Sequence, residues 1–180
     1  DGNKIIAGGY SDYAYFYNYS SSTPVWSYDT DYDIYSVDLS NDGSKAIIGH
    51  TSDITYFDTS SSSPEWTSTD GFYPVSMNYT GNKLVAGDYT YLSSSDDYVD
   101  DLDGPNYLQS SAISSNGNHI ILAGGSCSSG GSSATNIAFY DWGESDSEWS
   151  KTGYKRWKHS DGTETRDDPS QPLGAIALAD

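Results

Sequence analysis

Apolar residues in this chain fall into short runs, each closed by a glycine and each opened by the same kind of polar turn. The runs are Ile5-Ile6-Ala7-Gly8, Ala46-Ile47-Ile48-Gly49, Leu84-Val85-Ala86-Gly87 and Ile120-Ile121-Leu122-Ala123-Gly124. Runs this short and this uniformly apolar predict strands buried on both faces. In front of them stand four turn motifs: Asp1-Gly2-Asn3-Lys4, Asp42-Gly43-Ser44-Lys45, Thr80-Gly81-Asn82-Lys83 and Asn116-Gly117-Asn118-His119. Asp-Gly and Asn-Gly are favoured in tight hairpin turns because those turns need positive φ. Each motif after the first is therefore expected to join its apolar strand to an alternating strand before it, over residues 34–39, 74–79 and 107–114. Downstream comes an aromatic strand, Tyr15-Phe16-Tyr17, Tyr56-Phe57-Asp58 or Phe139-Tyr140-Asp141. A Ser-rich turn then leads to a strand carrying Trp26, Trp66 or Trp149. Four short strands per unit predict a propeller blade.

The turn motifs are spaced 41, 38 and 36 residues apart, close to the roughly 40 to 45 residues of a four-stranded blade. The expected fold is all-β: a β-propeller of about four four-stranded blades in one domain, with units at 1–41, 42–79, 80–115 and 116–180. The third unit lacks a Trp strand between Asp88 and Pro105, and the fourth carries an insertion of about twenty residues. The repeat resembles the archaeal surface-protein propeller repeats related to the WD40-like and PQQ-like families, in its glycine turn, its aromatic strand and the Ser-Thr-Pro-Val-Trp run at residues 22–26. The likeness is fullest over residues 1–80. It implies a propeller fold and an exported, often cell-surface setting, but little chemistry, because the functions of those repeats are mostly unassigned. The tryptophan-docking consensus of quinoproteins and the Gly-His and Trp-Asp pairs of WD40 blades are absent.

Leu173-Gly174-Ala175-Ile176-Ala177-Leu178-Ala179-Asp180 reads as a further strand running into the Asp of a fifth turn motif. Three arrangements follow from it. The strand closes a four-bladed ring by completing the first blade, the chain is a piece of a larger propeller or longer precursor, or the strand pairs with the next molecule.

Charge narrows the partners. With 26 acidic and 8 basic residues the formal charge is −18, and such a field repels phosphate backbones and anionic membranes. Nucleic acid is excluded as the expected partner, and no apolar run reaches the roughly 18 residues of a membrane helix. A single cysteine, Cys127, allows no intrachain disulfide. Asn18-Tyr19-Ser20 and Asn78-Tyr79-Thr80 are acceptor sequons, so Asn18 and Asn78 are candidate glycosylation sites on an exported chain.

Catalytic signals are sparse. His50, His119 and His159 have no metal-ligand spacing, and His119 stands where the other turn motifs have lysine. The densest oxygen cluster, Asp96, Asp97, Asp100, Asp101 and Asp103, is a candidate calcium site competing with a plain solvated acidic loop. Five of the eight basic residues fall in the fourth-unit insertion. Lys151, Lys155, Arg156 and Lys158, with Tyr154 and Trp157 between them, form a candidate interaction patch for an acidic surface of another copy or an anionic polysaccharide. The expected function is non-enzymatic: an extracellular or cell-surface module for structural assembly or protein interaction, binding itself or another surface protein. The alternative is a carbohydrate- or ligand-binding module using exposed aromatics and calcium.

Overall fold

The computed structural model describes residues 2–51, 53–105, 108–124, 137–151, 156–158 and 164–166. Every regular element among them is a strand, and the chain is all-β. The first sheet has three strands, β1 (Lys4–Ala7), β2 (Tyr13–Asn18) and β3 (Trp26–Asp29), in that order. The second has four in chain order: β4 (Ser36–Leu39), β5 (Lys45–Gly49), β6 (Ile54–Asp58) and β7 (Trp66–Ser68). The third runs β8 (Val75–Met77), β9 (Lys83–Ala86), β10 (Tyr89–Leu92) and β11 (Tyr98–Asp101). The fourth runs β12 (Leu108–Ile113), β13 (His119–Gly124), β14 (Ile137–Asp141) and β15 (Trp149–Lys151). All four are antiparallel meanders. A two-stranded ribbon, β16 (Arg156–Lys158) and β17 (Glu164–Arg166), lies in the insertion. The third unit is more regular than its sequence suggests: β11, without a tryptophan, takes the place of the Trp strand.

The glycine turns form as the sequence requires. Gly2, Gly43, Gly81 and Gly117 have φ of 65°, 68°, 70° and 72°, a conformation that penalises any residue with a Cβ. Inside the last three turns a short polar side chain closes the loop. Ser40 Oγ accepts from the Lys45 amide at 2.9 Å, Asn78 Oδ1 from the Lys83 amide at 3.1 Å, and Ser114 Oγ from the His119 amide at 3.0 Å.

Consecutive sheets stack face to face, and one rule governs all three junctions. Ala14 of the first sheet meets Ala46, Ile48 and Phe57 of the second, with Trp26 stacked between Phe16 (5.1 Å) and Phe57 (5.4 Å). Ile47, Ile54 and Tyr56 of the second meet Leu84, Ala86 and Tyr91 of the third, with Trp66 between Tyr56 (5.1 Å) and Tyr91 (5.9 Å). Val85 of the third meets Ile120, Leu122, Ala138 and Tyr140 of the fourth. The glycine turns stack in step with the sheets. A Cβ placed on Gly43 would lie 2.5 Å from the Lys4 side chain, on Gly81 2.9 Å from Lys45, and on Gly117 2.5 Å from Lys83. Among the described residues no core cluster joins the fourth sheet to the first.

Candidate functional site

The fold spreads the five acids along one irregular edge. Asp96 and Asp97 are exposed in the turn between β10 and β11, Asp100 is half-buried on β11, and Asp101 and Asp103 are exposed at and beyond its end. The backbone N–H of Asp100 donates to Thr90 Oγ1 at 3.1 Å, and that of Asp97 to Ser95 Oγ at 3.1 Å. Among the described residues no three of His, Cys, Asp and Glu converge as a group that could hold a metal ion. Asp101 and Asp103 instead line an open bowl of about 420 Å³ together with Asp88 and Asp146, two acids that stand outside the cluster in the sequence. Burial and the nearby Asp101 charge push the Asp88 carboxyl above the usual carboxylate range. A second hollow of about 380 Å³ shares Asp88 and Gly104 with the bowl and is lined by Thr51, Phe72, Tyr73 and Leu108.

Asp88 and His50 occupy the same slot, immediately after the glycine that ends an apolar strand. Only that equivalence in the repeat could have flagged Asp88. His50 is 2% exposed, its Nδ1 is hydrogen-bonded to the Asp53 carboxylate, and its Nε2 has no partner. A general base must reach its substrate. This ring is sealed in the protein, so the pair acts as a packed tie between β5 and β6.

The two sequons differ in access. Asn18 ends β2 half-exposed, with its Oδ1 accepting from Lys4 Nζ. Asn78 is 5% exposed, and its Nδ2, the atom a glycan would use, donates to Asn82 Oδ1 at 2.8 Å inside a glycine turn. Of the basic patch, Lys151 ends β15, while Arg156, Trp157 and Lys158 form β16, opposite Arg166, Thr165 and Glu164. Tyr154 and Lys155 lie outside the described residues, as do His159, Cys127 and residues 173–180, where a further strand is expected from the sequence. The cations Lys4, Lys45 and Lys83 belong to the packing of the glycine turns: Lys45 pairs with Asp58 at 2.9 Å and Lys83 lies 4.6 Å over the Trp142 ring.

The largest departure from a uniform repeat is the outer face of the first sheet. Register places Ile5 beside Tyr17 and Ala7 beside Tyr15, with Tyr13 on the same face. The corresponding residues of the other sheets, among them Ile48, Phe57, Leu84, Tyr91, Leu122 and Tyr140, are fully buried. Ile5, by contrast, is 43% exposed and Tyr13 38%. The tyrosines form a ladder, with centroids 6.1 Å apart for Tyr13 and Tyr15 and 6.3 Å for Tyr15 and Tyr17. Nor has β1 a neighbour on its second edge among the described residues, whereas β5, β9 and β13 each pair on both sides. The most unusual surface is therefore neither the acidic cluster nor the basic patch. Its signal stands in the sequence as the Tyr-x-Tyr-x-Tyr alternation at 13–17, set where the other units carry core residues.

No protein-family model matches the chain, and no curated protein matches it in sequence. No helix among the described residues is long and apolar enough to cross a membrane.

Proposed function

We propose that the chain is a non-enzymatic propeller-type module, extracellular or at the cell surface, that works by structural assembly with itself or another surface protein. The observation that carries this reading is the apolar and tyrosine-rich outer face of the first sheet. Burying apolar surface stabilises by roughly 25 cal/mol per Å², and a contiguous patch of this kind on an otherwise acidic molecule marks an association surface. The sheet-on-sheet rule, repeated three times, supports the propeller arrangement. Light scattering and negative-stain microscopy across protein concentration test the reading. Concentration-dependent association is expected; a monodisperse monomer at high concentration overturns it.

The exposed rings favour a second reading, a carbohydrate-binding module, because Tyr10 is 80% and Tyr19 74% exposed and aromatic faces stack on apolar sugar faces. On a glycan array, with and without calcium, this reading expects binding that is lost in Tyr10→Ala or in Trp157→Ala.

A further inference from the structure

Three separate features of the first unit are incomplete in the same sense. Its outer face, Ile5, Tyr13, Tyr15 and Tyr17, carries what the second, third and fourth sheets bury against a preceding sheet. Among the described residues its apolar strand β1 lacks the inner strand that β4, β8 and β12 supply to β5, β9 and β13. A Cβ placed on its turn glycine, Gly2, would meet nothing within 4 Å, whereas each of the other three turn glycines is covered by the lysine of the preceding turn.

The fourth unit holds the counterpart of the outer face and of the turn. His119 stands in the lysine slot and is hydrogen-bonded to Asp141 at 2.7 Å, in the register where Lys45 meets Asp58. On the same face of the fourth sheet Ile121 and Ile137 are half-buried, although Ile47, which corresponds to Ile121, is fully buried. Resting on the assembly reading above, we propose that the first sheet is the docking surface for the fourth sheet of a second copy, joined head to tail by the same contacts that join the sheets within the chain.

In this junction His119 covers the Gly2 turn, and Ile121 and Ile137 lie on Ile5 and the tyrosine ladder. The occupant is a second copy because the fourth sheet carries the matching face and, among the described residues, no core cluster joins that sheet to the first within the chain. A head-to-tail contact is heterologous, so it builds a closed ring or a filament according to its rotation.

The test uses the full chain, with mass measured by sedimentation velocity. Wild type is expected at twice the 19.5 kDa chain mass or more. Ile5→Asp and Ile121→Asp alone are expected as monomers, since each removes one half of every junction. Their mixture regains one intact junction and gives a one-to-one dimer. Tyr13→Asp, at an exposed position, repeats the Ile5 arm, and circular dichroism confirms that each variant is folded. In a second arm on the Cys127→Ser background, copies with Ile5→Cys and copies with Ile121→Cys are expected to join by an intermolecular disulfide. A mixture that stays monomeric, or a doubly substituted chain that closes its disulfide within itself, overturns the proposal in favour of closure onto the same chain. A chain carrying both aspartates that associates as well as wild type overturns the junction and leaves the assembly reading standing. Wild type that is monomeric at every concentration overturns both.

Discussion

Gly81 shows how much of this fold is fixed one residue at a time. Its φ of 70° costs a residue with a Cβ about 1–2 kcal/mol. That Cβ would also sit 2.9 Å from Lys45 Cβ and 3.1 Å from Ser40 Cβ. Gly81→Ala is therefore expected to destabilise by about 2–4 kcal/mol, strain and overpacking together, read as a lower urea midpoint. Gly2→Ala meets only the first of these and should cost less. The buried tyrosines set the alkaline limit. Burial pushes the Tyr91 hydroxyl up to about 12, with a partial offset from Ser68. A folded-state pKa above the unfolded value means that stability is intact below pH ~10 and falls as the pH rises towards 12. Tyr91→Phe is expected to lose less stability over that interval than wild type, as followed by thermal melts from about pH 9 to about pH 12. At the acid end, Asp42 accepts from the Ser44 amide (2.9 Å) and hydroxyl (2.8 Å) and from Ser40 Oγ (2.8 Å), which lowers it to about 2. Its contribution is present above the unfolded carboxylate pKa and is lost as pH falls towards 2.

Individual strands were legible in the sequence because two-faced burial leaves a plain mark: apolar runs with no polar gap, closed by glycine. The alternating segments are less sharply bounded, and 74–79, for instance, contracts to Val75–Met77. What the pattern hides is β11, whose Tyr98-Val99-Asp100-Asp101 reads as an acidic loop. It pairs because Tyr89 and Thr90 offer a ladder, and an outermost strand needs no apolar face of its own. The tryptophan strands do more than complete their own sheets. Trp66 stacks within its sheet and onto the next, and its Nε1 donates to the Ser93 carbonyl of the third unit at 2.9 Å. Trp26 does the same with the Thr59 carbonyl of the second unit at 2.9 Å. Trp66→Ala is expected to cost about 3–5 kcal/mol. Trp66→Phe should cost less, since it keeps a stacked ring and forgoes a hydrogen bond worth about 1 kcal/mol. Urea denaturation of the two variants separates packing from hydrogen bonding.

The whole molecule carries a formal charge of −18, with 26 acids against 8 bases, so self-repulsion opposes the compact state. Raising salt from about 0.05 to about 1 M shortens the Debye length from over 10 Å to about 3 Å, and the melting temperature is expected to rise with it; an unchanged melt would show that the acids are already screened by their own spacing. The acidic bowl gathers around Asp88, and Arg156, Lys158 and Arg166 fall on the ribbon of the insertion. Composition alone placed neither. By itself the sequence determined most of the strands, the glycine turns and the order of units, because each depends on residues adjacent in the chain: a glycine at positive φ, an apolar run, a tryptophan two residues after a proline. Only the tertiary structure decided which faces are covered. Ile5 and Ala46 occupy the same place in their repeats, but Ala46 is sealed beneath the preceding sheet and Ile5 faces solvent, since burial depends on what neighbours a strand in space and local pattern holds no record of that neighbour.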